Sequence, residues 1–310
     1  MEKKYRKLFS LFLALVMLLF TACSGDSDVK QPANVNADSS VTANEGTNEA
    51  VETDNTATEP AAVEVTIEET VLYDADDIKI TATGFENGWM GPEIKLLLEN
   101  NSSKNILVTS DSASINGYMM PLASLYAEVA AGKKANESFS FSSTSLEQAG
   151  IETIADIQFK FAISDGDTWE TLTTTDLITL STSAAGFTQP VDDTGDVVFE
   201  EDGIKIVCKG LKKDLLWDGT VVFYMENNSG KPISTYAENI SVNGFMVNAS
   251  LWSNLRDGTR IIDGLSILDI SDLGIESIDE VKNIEFNLRI VHAETWDEIK
   301  TTDVIALNFE

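Results

Sequence analysis

Cysteine, histidine and basic side chains are scarce in this 310-residue sequence, and each shortage argues against a class of protein. Of its two cysteines, Cys23 lies at a predicted processing site, so the mature chain keeps Cys208 alone and forms no intramolecular disulfide. One histidine, His292, beside one usable thiol argues against a zinc site. The 21 basic residues are outnumbered by 51 acidic ones, and the net charge of −30 repels phosphate backbones. We therefore expect no nucleic-acid partner.

Long apolar runs are also missing, because the longest one covers only residues 8–20. A bilayer-spanning helix needs about 20 apolar residues, whereas a shorter run behind a basic head is typical of a secretory signal peptide. We predict such a peptide over residues 1–22. The segment Leu19-Phe20-Thr21-Ala22-Cys23 resembles the lipobox of bacterial lipoproteins. The alternative is an ordinary secretory signal with a chance cysteine.

The lipobox resemblance implies diacylation of Cys23 after removal of residues 1–22. Two acyl chains anchor a protein stably. The expected location is therefore the outer face of the bacterial cytoplasmic membrane, with the remaining chain extracellular. Residues 23–65 are rich in Asn, Thr, Ser, Ala and acidic side chains and show no apolar periodicity, which predicts a disordered acidic tether.

The rest of the chain contains one pattern twice, at a constant offset of 127 residues between Asn100 and Asn227, Gly117 and Gly244, and Trp169 and Trp296. The shared motifs are Glu99-Asn100-Asn101-Ser102 and Glu226-Asn227-Asn228-Ser229, Asn116-Gly117 and Asn243-Gly244, Thr168-Trp169 and Thr295-Trp296, and Thr174-Thr175-Asp176 and Thr301-Thr302-Asp303. This duplication predicts two domains, repeat 1 over residues 66–184 and repeat 2 over residues 196–310, joined by a short linker over residues 185–195.

Short segments of alternating polarity fill both repeats, which predicts an all-β fold of two tandem antiparallel immunoglobulin-like β-sandwiches. The clearest strands place Ile157, Phe159, Phe161 and Ile163, or Ile284, Phe286, Leu288 and Ile290, on one face. Hairpins are expected at the Asn-Asn-Ser and Asn-Gly turns. Helical turns are expected only at residues 145–149 and 270–275.

Both repeats resemble the immunoglobulin-like or telokin-like domains of unknown function in lipoproteins of Gram-positive bacteria. The resemblance covers about residues 66–310 and rests on the Asn-Asn-Ser turn, the Asn-Gly turn and the Trp-plus-Thr-Thr-Asp ending. It implies a fold and an envelope setting, and it carries over no catalytic residue.

Catalytic and metal-binding patterns are sparse. His292 lacks a sequence-evident nucleophile and orienting partner, and Cys208 corresponds to Ala82 on an inward strand face, which favours packing. Acidic clusters such as Asp165 with Asp167 lack EF-hand spacing, so weak cation association is left open but no dedicated metal site is predicted. No cofactor and no catalytic residue are predicted.

Two functions remain. The first is a non-catalytic binding or accessory module for a protein, glycan or envelope component; the alternative is a carboxylate-based envelope hydrolase, such as a glycoside hydrolase. The candidate binding residues are Tyr126 and Trp252, which follow the Asn-Gly turns in a divergent stretch. Their alternative role is to cap the end of a sandwich. Trp169 and Trp296 recur in both repeats and are predicted to be core residues.

Overall fold

The computed structural model describes residues 65–213, 219–268 and 270–309. The predicted signal peptide, Cys23, nearly all of the predicted tether and Trp217 lie outside these residues. Strands dominate the described part of the chain, so the prediction of an all-β fold is confirmed. None of the helices in this part is both long and apolar enough to cross a membrane.

The elements of repeat 1 follow the predicted succession of short strands. They are β1 (Thr70–Ala75), β2 (Ile78–Asn87), β3 (Pro92–Asn100), β4 (Ile106–Ile115), β5 (Tyr118–Met119), β6 (Tyr126–Val129), β7 (Lys133–Ser140), α1 (Ser143–Gln148), β8 (Asp156–Asp165), β9 (Thr171–Thr174) and β10 (Ile178–Ser181).

Repeat 2 has the same order of principal strands, with two 3₁₀ helices where repeat 1 has α1. Its elements are β11 (Asp196–Glu201), β12 (Ile204–Lys212), β13 (Gly219–Asn227), β14 (Ile233–Val242), β15 (Phe245–Met246), β16 (Asn248–Ser250), β17 (Trp252–Leu255), β18 (Thr259–Leu268), the 3₁₀ helices Ile270–Leu273 and Ile278–Glu280, β19 (Asn283–His292), β20 (Glu298–Thr301) and β21 (Ile305–Asn308). The helical turns expected near residues 145–149 and 270–275 are confirmed, but the expectation that there are no others is wrong, since Ile278–Glu280 is a 3₁₀ helix.

Each repeat is a two-layer antiparallel sandwich of the immunoglobulin-like kind. In repeat 1, one layer has the order β1-β2-β3-β7, and the other has β10-β8-β4, with β5 and β6 on β4 and β9 on β8. In repeat 2, the first layer is β11-β12-β13-β18, with β16 on β18. The second layer is β15-β14-β19-β20, with β17 on β14 and β21 on β19.

The alternating strands fill the two cores as predicted. Ile157, Phe159, Phe161 and Ile163 of β8 are 0% exposed, as are Ile284, Phe286, Leu288 and Ile290 of β19. Burial of each such side chain contributes roughly 1.5–3 kcal/mol, so these central strands are major sources of stability. Cys208 is a buried free cysteine in the core of repeat 2, and Ala82 is buried in repeat 1, which confirms the packing interpretation.

The predicted Asn-Gly hairpins are confirmed. Asn116 and Gly117 have φ values of 50° and 81°, and Asn243 and Gly244 have φ values of 49° and 83°. Two successive residues with positive φ form the turn that matches the twist of paired strands, and Asn and Gly adopt it at little cost. These turns join β4 to β5 and β14 to β15.

The prediction of hairpins at the Asn-Asn-Ser motifs is wrong. β3 pairs with β2 and β7, whereas β4 pairs with β5, β6 and β8, so residues 101–105 carry the chain from one layer to the other. The buried amide of Asn100 donates to the carbonyls of Lys104 (2.8 Å) and Val129 (2.9 Å). Asn227 makes the same two bonds, to Lys231 and Leu255, in repeat 2. Asn and Ser side chains can hydrogen-bond to backbone groups both in a hairpin turn and in a crossing between layers, so the composition of the segment does not distinguish the two kinds of connection.

The two repeats pack against each other within one compact unit. A single parallel bridge pairs Tyr118 of β5 with Arg260 of β18, whose backbone N–H donates to the Gly117 carbonyl at 2.9 Å. Val207 and Tyr224 of repeat 2 point away from their own core and pack into the core cluster of repeat 1. Repeat 1 therefore covers the outer face of the first layer of repeat 2 around Val207 and Tyr224.

Arg256 is the principal polar contact across this junction. Its Nη2 donates to the Ser114 hydroxyl at 2.6 Å, and both terminal nitrogens donate to Gln158 Oε1 at 3.3 Å. Burial lowers the pKa of the Arg256 guanidinium. Because the first layer of repeat 2 faces repeat 1, the outward surface of repeat 2 is its second layer, β14, β17, β19 and β20.

Candidate functional site

The second layer of repeat 2 carries three aromatic rings on its outer face. In the strand register Tyr236 of β14 lies opposite Trp252 of β17 on one side and Arg289 of β19 on the other. The ring centroid of Tyr236 is 5.8 Å from that of Trp252 and 6.1 Å from that of Trp296. The centroids of Trp252 and Trp296 are 6.4 Å apart. We call Tyr236, Trp252 and Trp296 the aromatic cluster.

Trp296 reaches this face from the turn that follows β19. Its φ is 64°, and its N–H donates to the His292 carbonyl at 2.9 Å, while the His292 N–H donates to the Asp297 carbonyl at 2.9 Å. His292 Nδ1 accepts from the backbone N–H groups of Glu294 and Thr295 at 3.2 and 3.4 Å. His292, the last residue of β19, therefore holds the turn that presents Trp296.

The prediction that Trp169 and Trp296 are core residues is wrong. Trp169 is 56% exposed and Trp296 is 55% exposed. In both repeats the tryptophan occupies a left-handed position of a tight turn, and its ring lies over the outer face of the sheet. Recurrence in two repeats indicates a shared structural position, which can be outside the core as well as inside it.

Tyr126 and Trp252 occupy the same place in the two repeats. Each begins the short strand that pairs with β4 or β14, and they are 47% and 55% exposed. The structure brings Trp252 together with Trp296, and Tyr126 with Trp169 at a centroid distance of 6.5 Å. The Tyr126 hydroxyl donates to Glu128 Oε1 at 2.9 Å.

The two repeats differ at the centre of this face. Thr109 pairs with Tyr126 and Ala162 in repeat 1, at the positions where repeat 2 pairs Tyr236 with Trp252 and Arg289. Repeat 1 therefore has two rings without a central tyrosine or arginine. The sequence analysis did not identify Tyr236 and Arg289. Both lie at outward positions of their strands, where a large aromatic side chain or a cation can indicate a binding surface.

Charged and polar side chains border the aromatic cluster. Arg289 Nη1 lies 3.4 Å from Glu238 Oε1, and its Nε lies 3.4 Å from Glu298 Oε2. Asn254 Oδ1 accepts from Trp252 Nε1 at 3.3 Å and from the Ser234 hydroxyl at 2.5 Å. Exposed ion pairs contribute little stability, so the main effect of these contacts is to hold the arginine and the amide in position.

The acidic pair Asp165 and Asp167 is engaged in other contacts. Asp165 accepts from Lys104 Nζ at 2.9 Å and from the N–H groups of Asp167 and Thr168, and these bonds lower its pKa to about 2. Across the described residues, no group of three or more His, Cys, Asp or Glu side chains is arranged to hold a metal ion. Burial raises the pKa of the Cys208 thiol, which disfavours the nucleophilic thiolate.

Two concavities lie elsewhere. One, of about 500 Å³, is lined at the repeat junction by Tyr118, Lys209 and Ile262 among others. The second, of about 600 Å³, lies between β11 and β21 and is lined in part by Cys208 and Leu307. Neither is lined by a residue of the aromatic cluster.

Comparisons with known proteins give a structural likeness at a low level. No protein-family model and no curated protein matches this chain. The YadV chaperone is similar at 11% identity and a TM-score of 0.22, over 75% of this chain and 100% of that one. A chain of the CsuC–CsuE chaperone–tip adhesion subunit pre-assembly complex from archaic chaperone–usher Csu pili of Acinetobacter baumannii is similar at 10% identity and a TM-score of 0.19, over 69% of this chain and 90% of that one. Likenesses at these TM-scores carry no argument about function.

Proposed function

We propose that this protein is a membrane-anchored extracytoplasmic lipoprotein that acts as a non-catalytic binding or accessory module for a protein, glycan or envelope component. The observation that carries the proposal is the aromatic cluster, in which Trp252 and Trp296 are each 55% exposed although three rings are gathered on one sheet face. Aromatic side chains dominate binding energies at recognition surfaces. A sandwich gains little from leaving two indole rings half in water, so recognition is the best account of the arrangement.

The alternative of a carboxylate-based hydrolase has no specific observation in its favour. Among the described residues the carboxyl groups with a raised pKa are Asp156 in repeat 1 and Asp263 in repeat 2, and desolvation is the main cause for both. Asp263 is bonded to Ser253 within repeat 2 instead of facing a second raised carboxyl group across a cleft. We therefore propose the binding function and not the hydrolase.

The binding role is tested by retention of the purified full chain on isolated cell envelopes in detergent, which keeps the proposed lipid anchor from contributing. Trp252→Ala and Trp296→Ala should each weaken retention. Trp169→Ala is the matched control, since it removes an equally exposed ring from the same turn of repeat 1. Equal retention of all four proteins would remove the aromatic cluster as the binding surface.

The anchoring part of the proposal has its own test. Cys23→Ala should abolish incorporation of radiolabelled fatty acid and release the protein from the membrane fraction, because Cys23 carries the only thiol of the proposed lipobox. Cys208→Ala controls for loss of a thiol elsewhere and should label normally. Continued labelling of the Cys23 variant would exclude the lipoprotein assignment.

A further inference from the structure

We infer that the aromatic cluster binds an uncharged glycan chain; this inference rests on the proposed binding function and names its ligand class. Size is the first reason. Two indole rings that are each 55% exposed present roughly 150–250 Å² of apolar surface, whereas a stable protein interface needs about 800 Å² on each partner. The exposed rings suit one or two sugar rings, whose apolar C–H faces stack on aromatic faces.

Charge is the second reason. The chain carries a net charge of −30, and the one arginine beside the cluster, Arg289, is already flanked by Glu238 and Glu298 at 3.4 Å. A polyanionic glycan or an acidic peptide would meet repulsion at this surface. An uncharged chain meets none.

Hydrogen-bonding groups beside the rings are the third reason. Asn254 is exposed and its Oδ1 accepts from Trp252 and Ser234, so the Nδ2 group of the amide is left to donate to a ligand. Arg289 Nη1 donates to Glu238 Oε1 at 3.4 Å, and Nε lies 3.4 Å from Glu298 Oε2 without a hydrogen bond among the described residues. The planar guanidinium leaves further N–H donors. Fixed amide and guanidinium donors next to an apolar face match a sugar ring, which has C–H faces and hydroxyl edges.

Repeat 1 supplies a natural comparison. It keeps the pair Tyr126 and Trp169 but has Thr109 and Ala162 at the positions of Tyr236 and Arg289. It therefore lacks the third ring and the guanidinium. We assign glycan binding to repeat 2.

The test uses the purified full chain in detergent and three preparations of delipidated cell envelopes: untreated, protease-digested, and protease-digested followed by periodate, which cleaves vicinal diols of sugars. Binding should survive protease digestion and be lost after periodate. It should also change little between ~50 mM and ~500 mM salt, because screening acts on charged contacts. Trp252→Ala and Trp296→Ala should each reduce affinity roughly tenfold, while Trp169→Ala should not.

The remaining outcomes overturn part or all of the inference. Binding that survives both protease and periodate overturns a glycan with vicinal diols as the ligand. Binding that is removed by protease and still depends on Trp252 and Trp296 overturns the glycan inference in favour of a protein partner, and it leaves the proposed binding function standing. Binding that survives protease but falls steeply with salt overturns the uncharged character of the ligand. Binding that ignores both tryptophans, or no binding to any preparation, overturns the inference together with the proposed role of this face.

Discussion

The ring of Trp296 stacks on the ring of Tyr236, with centroids 6.1 Å apart and an angle of 24° between the planes. This pair joins the turn after β19 to the middle of β14. The strands β14 and β19 are neighbours in the sheet, although the two aromatic residues are about sixty positions apart in the chain. The contact places a half-exposed indole above a tyrosine that Trp252 also touches. A surface of three rings thus depends on strand pairing and on one left-handed turn residue.

Trp296→Ala should cost about 1–3 kcal/mol of unfolding free energy, because an aromatic pair is worth about 0.5–1.5 kcal/mol beyond its buried area and this half-exposed ring buries only part of its surface. Phe286→Ala, which truncates a side chain that is 0% exposed, should cost about 3–5 kcal/mol. Urea denaturation of the two variants measures both values. A loss above ~3 kcal/mol for Trp296→Ala would return this ring to a structural role.

Arg256→Ala should lower the unfolding free energy by about 2–3 kcal/mol, because it leaves Ser114 and Gln158 at the repeat junction without their charged donor. Arg289→Ala is the control, since its ion pairs are half exposed and worth about 0–1 kcal/mol. Chemical denaturation compares the two. Equal losses would show that the junction contact of Arg256 has no special weight.

Asp263→Asn should stabilise the protein near neutral pH. Desolvation raises the pKa of Asp263 above its ordinary value of 3.8. This effect outweighs two hydrogen bonds that the carboxylate accepts, from the Ser253 hydroxyl at 2.5 Å and from the backbone N–H of Gly264 at 2.8 Å. A raised folded-state pKa means that the contribution of this group is fully present below its unfolded pKa and is lost as pH rises through the folded value.

The advantage of Asp263→Asn should therefore be largest at neutral pH and vanish below pH ~3.8, where the wild-type carboxyl group is protonated in both states. Melting temperatures measured across this range test the sign. The exposed Asp303→Asn serves as control. A variant that is less stable than wild type at pH ~7 would show that the charged form is favoured by its neighbours.

Cys208→Ala should cost about 1 kcal/mol or less, because Ala82 fills the same strand position in repeat 1. The wild-type thiol should react slowly with a thiol reagent in the folded state and quickly in denaturant, since burial raises its pKa. The reaction is followed by mass spectrometry. Rapid labelling of the folded protein would point to an opening between β11 and β21.

The sequence determined the strands and the duplication, since alternation of apolar and polar side chains reports directly which face of a strand is buried. It identified β8 and β19, the Asn-Gly turns, the inward position of Cys208, and Tyr126 and Trp252 as candidate surface aromatics. These are local properties, encoded by neighbouring residues.

Tertiary structure decided what depends on strands that meet from distant parts of the chain. Only the register places Tyr236 beside Trp252, and only the turn after β19 places Trp296 over both, so the aromatic cluster has no contiguous sequence signal. The Asn-Asn-Ser segments cross between layers because Asn100 and Asn227 bond carbonyls 28 or 29 residues away. Trp169 and Trp296 lie outside the core for the same reason: a ring in a hairpin turn is placed by backbone φ and long-range pairing, and neither can be read from recurrence alone.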